Sequence, residues 1–472
     1  MSTTFETPAD ETAVLAPPKP SRSPWRWARE NLFFSAWGTL ATLSLALLLA
    51  WALPPLVKWA LLDAVWSGAT RDVCLTPEGT VGGGACWVFV KVRFGQLMYG
   101  FYPLEQRWRV DAAALTLALG LAVVLPLRAA TQRAAALAGV VIGGLGAGWL
   151  GGPELGAVAA LFLAGPLLLT RDLSALRRLS AVARVLLVVG LSVLAAVVGG
   201  VAFGTPKAFG WVVLVLAAGL FGWRFDSLRA AGLYLLGLVF PVLAQALLSG
   251  GAYGLRYVPT EQWGGLFLTL TIALTGMAAS LPLGILLALG RRSALPVLRL
   301  TCIGFIEFIR GVPMITVLFL ASVMLPLFLP EGVGVDKLLR ALIGVALFSA
   351  AYMAEVVRGG LQALDPGQRE AAESLGLGRV QTMGLVILPQ ALRVVIPGIV
   401  NTFIGLLKDT SLVAVIGLLD LIGIIKTATS DPNWLGFAAE GYTFVGLVFW
   451  VLCFSMARYS LRLERTLRNG VA

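Results

Sequence analysis

Histidine is absent from all 472 residues. That removes the side chain most used as a general base near neutral pH and as a zinc ligand. No Ser-His-Asp or Cys-His constellation can be assembled. Cys74, Cys86, Cys302 and Cys453 remain, at spacings that match no four-cysteine metal site. Cys302 and Cys453 stand in apolar runs and read as buried thiols. No Gly-x-x-x-x-Gly-Lys-Ser/Thr run occurs, so the chain lacks a phosphate-binding loop for ATP. The expectation is a chain with no catalytic residue, metal or cofactor of its own.

What remains is the chemistry of charge in apolar surroundings, where every ion needs a partner, water or an interface. Glu307 and Arg310 are three apart and share a helical face, and Glu355 and Arg358 repeat the pattern. Cross-pairing of Glu307 with Arg358, or of Arg310 with Glu355, would make a gate or latch between neighbouring helices. The other reading is four side chains reaching independently to the interface. Lys408 and Asp409 lie inside the apolar block 394–418, with Asn401 before them and Thr410 and Ser411 after. Two roles fit this polar patch: a lining for a substrate path, or support for a bend in the helix.

A third constellation is mechanical. Asp365, Pro366 and Gln368 have the form of a helix N-cap, a first-turn proline and a capping-box partner. The helix they start carries Glu370, Ala371 and Ala372 and ends near Gly376, and an amphipathic segment follows to Leu388 and Pro389. Two short helices are therefore expected within 358–393. Small Ala371 and Ala372 permit close approach, Glu370 supplies charge and Gly376 a sharp turn. Such an element suits docking on another subunit; the bland alternative is a solvated connection.

The elements that hold these residues are membrane spans. Hydrophobic residues make up 58% of the chain and charged ones 13%, against about 25% charged in soluble domains. The net charge of +11 comes from basic residues scattered in short gaps, not from a continuous stripe; this argues against nucleic acid as a partner. Apolar blocks run over 32–57, 111–127, 134–150, 155–170, 185–203, 209–222, 230–250, 263–290, 300–328, 338–357, 394–418 and 440–457. At roughly 20 residues per crossing they predict an all-α polytopic protein of about 12 spans. Pro54 and Pro55 should break or end the first span. The basic gaps put both termini in the cytoplasm.

The polar tail 1–31 is expected to be disordered. The segment 58–110 then lies outside the cytoplasm, where Cys74 and Cys86 either pair or stay as free thiols.

The run EAAESLGLGRVQTMGLVILP resembles the cytoplasmic signature of the membrane subunits of bacterial ABC importers. Glu370, Ala371, Ala372, Gly376, Leu388 and Pro389 meet it, with Val386 where isoleucine is common. FIEFIRGVPMITVLF, AEVVRGGLQALDPGQREAA and NTFIGLLKDTSLVAVIG are similar to the polar amino-acid branch of that family. The likeness covers 262–468. GACWVFVKVRFGQLMYGFYP further resembles the longer, M-type permeases of general L-amino acid systems. The resemblance implies a five-helix permease core at 262–468 with its coupling loop at 358–393, preceded by an N-terminal membrane extension over 32–260. It also implies two copies of an ABC ATPase holding ATP and Mg, a second related permease, a periplasmic amino-acid-binding protein and an L-amino acid as substrate. The expected place is the bacterial inner membrane. The rival is an ion-gradient-driven secondary transporter, which predicts two related halves; no internal repeat is visible.

Overall fold

The computed structural model describes residues 24–124 (without 79 and 81), 236, 240–251, 255–328, 330 and 334–469. Among the described residues the architecture is helical, with only isolated β-bridges. The contacts divide the chain into two units, Met1–Val88 and Phe89–Ala472.

In the first unit, α1 (Pro24–Asn31) precedes α2 (Ala36–Val57). Ser35 caps α2 by accepting the Gly38 N–H at 3.0 Å. Pro54 and Pro55 lie inside α2, which runs on as a π-helical turn over Lys58–Leu62. They do not end the span, contrary to the sequence expectation. The carbonyls of Pro54 and Pro55 still accept the Lys58 N–H. Cys74 and Cys86 are bonded, with Cα atoms 5.8 Å apart. Around them the Ala85 N–H donates to Trp59 O at 2.8 Å and Trp87 Nε1 to Ala60 O at 2.8 Å.

The second unit takes in most of α3 (Trp87–Tyr99), then α4 (Trp108–Val124), α5 (Phe240–Ser249), α6 (Gly265–Gly290), α7 (Pro296–Gly311) and α8 (Met314–Phe319). After α8 a π-helical turn and a 3-10 turn continue to Phe328. There follow α9 (Lys337–Ala363), α10 (Pro366–Ser374), α11 (Leu388–Val394), α12 (Ile396–Asp409), α13 (Leu421–Thr429) and α14 (Ala438–Asn469).

Among the described residues five helices are long and apolar enough to cross a membrane: Ala36–Leu62, Gly265–Gly290, Lys337–Ala363, Ile396–Ile416 and Ala438–Arg465. The pair Pro296–Gly311 and Met314–Phe328 makes a sixth if taken as one crossing, although it bends by 107°. The expectation of about 12 spans is therefore corrected. Apolar composition marks what avoids water, not a continuous helix of crossing length. The blocks 111–127 and 230–250 contain α4 and α5, and the residues that adjoin Val124 and precede Phe240 lie outside those described. The block 300–328 turns at Val312 and Pro313, where the chain leaves helical geometry before proline. The blocks 134–150, 155–170, 185–203 and 209–222 lie outside the described residues, as does most of the tail 1–31.

The C-terminal core is five crossings: α6, the bent pair, α9, Ile396–Ile416 and α14. α9 is its centre. It buries Ala341, Val345, Ala350, Ala351, Met353, Ala354 and Val357, small or slim residues that let α6 and α12 approach closely. A Cβ on Gly276 would stand 3.0 Å from Val345, and one on Gly284 2.7 Å from Met353.

One end of this core is closed by backbone. Gly264 lies between Gly100 and Leu419: a Cβ there would stand 3.0 Å from Gly100 Cα and 2.9 Å from Leu419 O. Gly265, at φ +65°, donates its N–H to Leu419 O at 2.9 Å, and Thr269 Oγ1 accepts the Leu421 N–H at 3.0 Å. Three chain segments meet where no side chain fits.

Asp420 caps α13 at that junction, fully buried, accepting from the N–H groups of Gly423 and Ile422. Burial pushes its carboxyl up to about 6, against the pull of those N–H groups. A folded-state value above the unfolded one means that the folded chain binds more protons between about pH 4 and 6. Stability from this group is therefore full below the unfolded value and is lost as pH rises through about 6. Asp420→Asn keeps a capping oxygen. We expect the wild-type unfolding temperature to gain more between pH 7 and 5 than the variant's; identical pH profiles would refute this.

Candidate functional site

The exposed connection between α9 and α12 is built to hold its shape. The Asp365 carboxylate accepts the Gly367 N–H at 2.8 Å, and Pro366 occupies the first turn of α10. Gln368 does not reach back as a capping-box partner; its Oε1 accepts from Gln390 Nε2 at 3.2 Å and so ties α10 to α11. Ala372 turns inward, 3% exposed, while Glu370 and Ala371 face outward. Arg369 and Glu373 pair along the outer face at 3.0 Å.

Gly376 ends the helix at φ +81°, with open space where a Cβ would stand. Leu377 N–H reaches back to Ala372 O at 3.2 Å. A short turn at Arg379–Gln381 and a π-helical stretch over Thr382–Ile387 lead to Leu388 and Pro389 at the start of α11. Ile387 and Ala391 are buried under it. The tip thus presents Glu370 and Ala371 beside Leu375 and Val380, which are 83% and 86% exposed. Sequence reasoning passed over these two apolar residues; lying outside the buried set of an amphipathic helix was the available signal.

At the same end of the core, charges from three helices converge. Glu355 of α9, 16% exposed, receives Arg291 from the end of α6 at 2.8 Å, Arg358 at 2.9 Å and Arg310 of α7 at 3.5 Å. Glu307 receives Arg291 at 3.0 Å and Arg310 at 3.9 Å. Arg310 also lies over the Tyr352 ring, 5.9 Å from its centroid. Arg358 adds Gln362 at 2.6 Å. Among the described residues Glu307 and Arg358 form no ion pair. Arg291, which joins both acids, was seen in the sequence only as a basic loop residue, since nothing in the spacing ties it to residues 16 and 64 positions on.

On α12, Asn401 and Lys408 are exposed and seven residues apart, hence on one helical face, with open space beside Gly405 between them. Asp409 is half-buried. Thr410 is fully buried and donates to Leu407 O at 2.8 Å; Ser411 donates to Lys408 O at 2.9 Å. These two hydroxyls close the last turn, and the open polar stripe is Asn401, Gly405 and Lys408. Among the described residues there is no group of His, Cys, Asp or Glu that could hold a metal ion.

Residues 280–469 match the family described as binding-protein-dependent transport system inner membrane component. The inner membrane amino-acid ABC transporter permease protein YhdY of Escherichia coli is 43% identical over 96% of this chain and 97% of its own length. The glutamate/glutamine/aspartate/asparagine transport system permease protein BztC of Rhodobacter capsulatus is 40% identical over 97% and 98%. The probable amino-acid permease protein YxeN of Bacillus subtilis, at 40% identity, matches over 39% of this chain and 81% of its own length. Nothing in these findings supports an ion-gradient-driven transporter. The likeness to YhdY and BztC runs the whole length of the chain, extension and core together. The chain belongs to the amino-acid ABC-transporter permeases, the non-catalytic, multi-pass inner-membrane subunits of ATP-driven amino-acid transport.

Proposed function

We propose that the element from Asp365 to Pro389 is the surface through which this permease takes up the stroke of a separate ATPase. Glu370, Ala371, Ala372, Gly376, Leu388 and Pro389 shape it, and Leu375 and Val380 are its apolar contacts. The observation that carries this reading is a capped helix, cross-tied by Gln368 and Gln390, with large apolar side chains turned into solvent. A passive connection has no need of either feature. Family membership implies an ATPase and a binding protein as partners. The finer scheme is two ATPase copies holding ATP and Mg, a second related permease, and a periplasmic receptor that hands over the L-amino acid.

In this scheme the Arg291 end of the core and both termini are cytoplasmic, and the Cys74–Cys86 bond lies on the oxidising side. The core is 262–468 with its coupling loop at 358–393, preceded by the extension 32–260. Glu307, Arg310, Glu355 and Arg358 latch α7 to α9 beside the coupling element. Asn401, Lys408 and Asp409 line the path, with Thr410 and Ser411 shaping its bend. The substrates are L-amino acids of the kind BztC carries, acidic residues and their amides. Lys408 would meet a carboxylate.

Cross-linking tests the coupling surface. A photo-reactive group carried on Glu370→Cys should capture the ATPase subunit in transporting membranes, and capture of no ATPase would end the proposal. Lys408→Met tests the path separately. Uptake should fall about tenfold with assembly intact, as the loss of one charge-assisted contact predicts; full-rate uptake would remove Lys408 from the path.

A further inference from the structure

The stretch from Phe89 in α3 to Val110 in α4 belongs to the N-terminal half by sequence, yet it is built into the end of the core that carries Gly264. Its attachments fall into two groups. On one side, Arg93 pairs with Asp431 and donates to Gln96 at 3.2 Å. Asp431 in turn caps the turn Pro432–Trp434 by accepting the Asn433 N–H at 2.9 Å. Phe89 packs on Trp434 at 5.5 Å between centroids, and a Cβ on Gly441 of α14 would stand 3.1 Å from the Phe89 ring. Phe94 meets Phe444 edge-on at 6.3 Å.

On the other side, Gly100 bridges Trp263, and a Cβ on Gly265 would stand 3.1 Å from Gln96 O. The Tyr102 hydroxyl donates to Leu248 O at 2.7 Å, and its ring meets Phe267 of α6 at 5.9 Å. Arg109, 1% exposed, donates to Arg256 O at 2.9 Å.

We infer that residues 89–110 form a rigid tie that joins the start of α6 to the start of α14, so that these two helix ends travel as one body through the transport cycle. α6 opens the core in sequence and α14 closes it, so the tie spans its two chain ends. Backbone contacts with no room for a side chain cannot slide, because packed interfaces change by jumps between discrete arrangements and not by gradual shear. The movement that alternates access must then pass through other parts of the core and not through this joint. Arg93, Phe89 and Tyr102 are positioning residues, remote from the path.

The test locks the tie in the assembled transporter. Arg93→Cys and Asp431→Cys are introduced into a chain carrying Cys302→Ser and Cys453→Ser, and the pair is oxidised and then reduced in proteoliposomes. The new disulfide should form. Uptake, and amino acid moved per ATP hydrolysed, should stay within about threefold of the reduced sample, since a joint that never opens loses nothing by being locked. A larger loss that reductant reverses would show that the joint opens during the cycle and would overturn the inference. So would failure of the bond to form in the assembled complex. Neither result depends on how the ATPase docks.

Discussion

Leu375→Asp is expected to reduce amino-acid uptake by the assembled transporter about 30-fold or more, while the permease itself folds and inserts normally. Leu375 is 83% exposed and touches little of its own chain, so the fold has small stake in it. Burying a leucine in a partner's pocket contributes roughly 1.5–3 kcal/mol, and a carboxylate in its place adds a desolvation penalty. At about 1.4 kcal/mol per factor of ten, the sum gives the expected loss. Val380→Asp should act in the same direction. Uptake assays with co-purification of the ATPase separate docking from folding. An aspartate variant that transports at the wild-type rate would mean that the exposed tip meets no partner.

The second large effect belongs to Glu355. Its carboxylate is the meeting point of three guanidinium groups at 2.8, 2.9 and 3.5 Å. Glu355→Gln leaves Arg291, Arg310 and Arg358 facing one another with Glu307 as the remaining acid of the cluster. Removing one partner from a buried ionic group typically costs about 3–5 kcal/mol. The arginines here are a quarter to a third exposed, so water screens part of that and roughly 2 kcal/mol is a fairer figure. The solubilised chain should unfold about 2 °C lower than wild type, the shift that this loss gives in a chain of 472 residues. Arg358→Gln should cost less, because Glu355 keeps Arg291 and Arg310. Equal stability of Glu355→Gln and wild type would show that the cluster contributes no strength.

The sequence made the local features legible. The cap and proline at Asp365 and Pro366 and the turn at Gly376 follow from short-range chemistry, whereas the division between buried Ala372 and exposed Ala371 was not drawn. The pairing of Glu355 with Arg358 one turn on follows from the same chemistry. Of the contacts between distant segments, the sequence offered the Arg310–Glu355 pair, which the structure has at 3.5 Å, and showed little else. Gln368 has a good partner nearby in its own cap, yet a glutamine 22 residues later takes it. Arg291 and the Gly100–Gly264–Leu419 junction leave no periodic trace, because backbone packing needs only glycine and proximity. Counting spans failed for a related reason. Hydropathy sums side chains, whereas crossing requires unbroken helix, and Val312–Pro313 breaks it in the middle of an apolar run.

The bond between Gln368 and Gln390 is uncharged at both ends, whereas the neighbouring contacts among Arg291, Glu307, Arg310, Glu355 and Arg358 are ionic. Mobile ions screen charges that lie more than a Debye length apart, about 8 Å at 0.15 M, and the contacts on Glu355, at 2.8 to 3.5 Å and partly buried, lie well inside that distance. When a cell loses water and its internal potassium climbs, the receiving knob and the adjoining clasp therefore both keep their posture. Osmotic stress finds no easy lever on this end of the subunit.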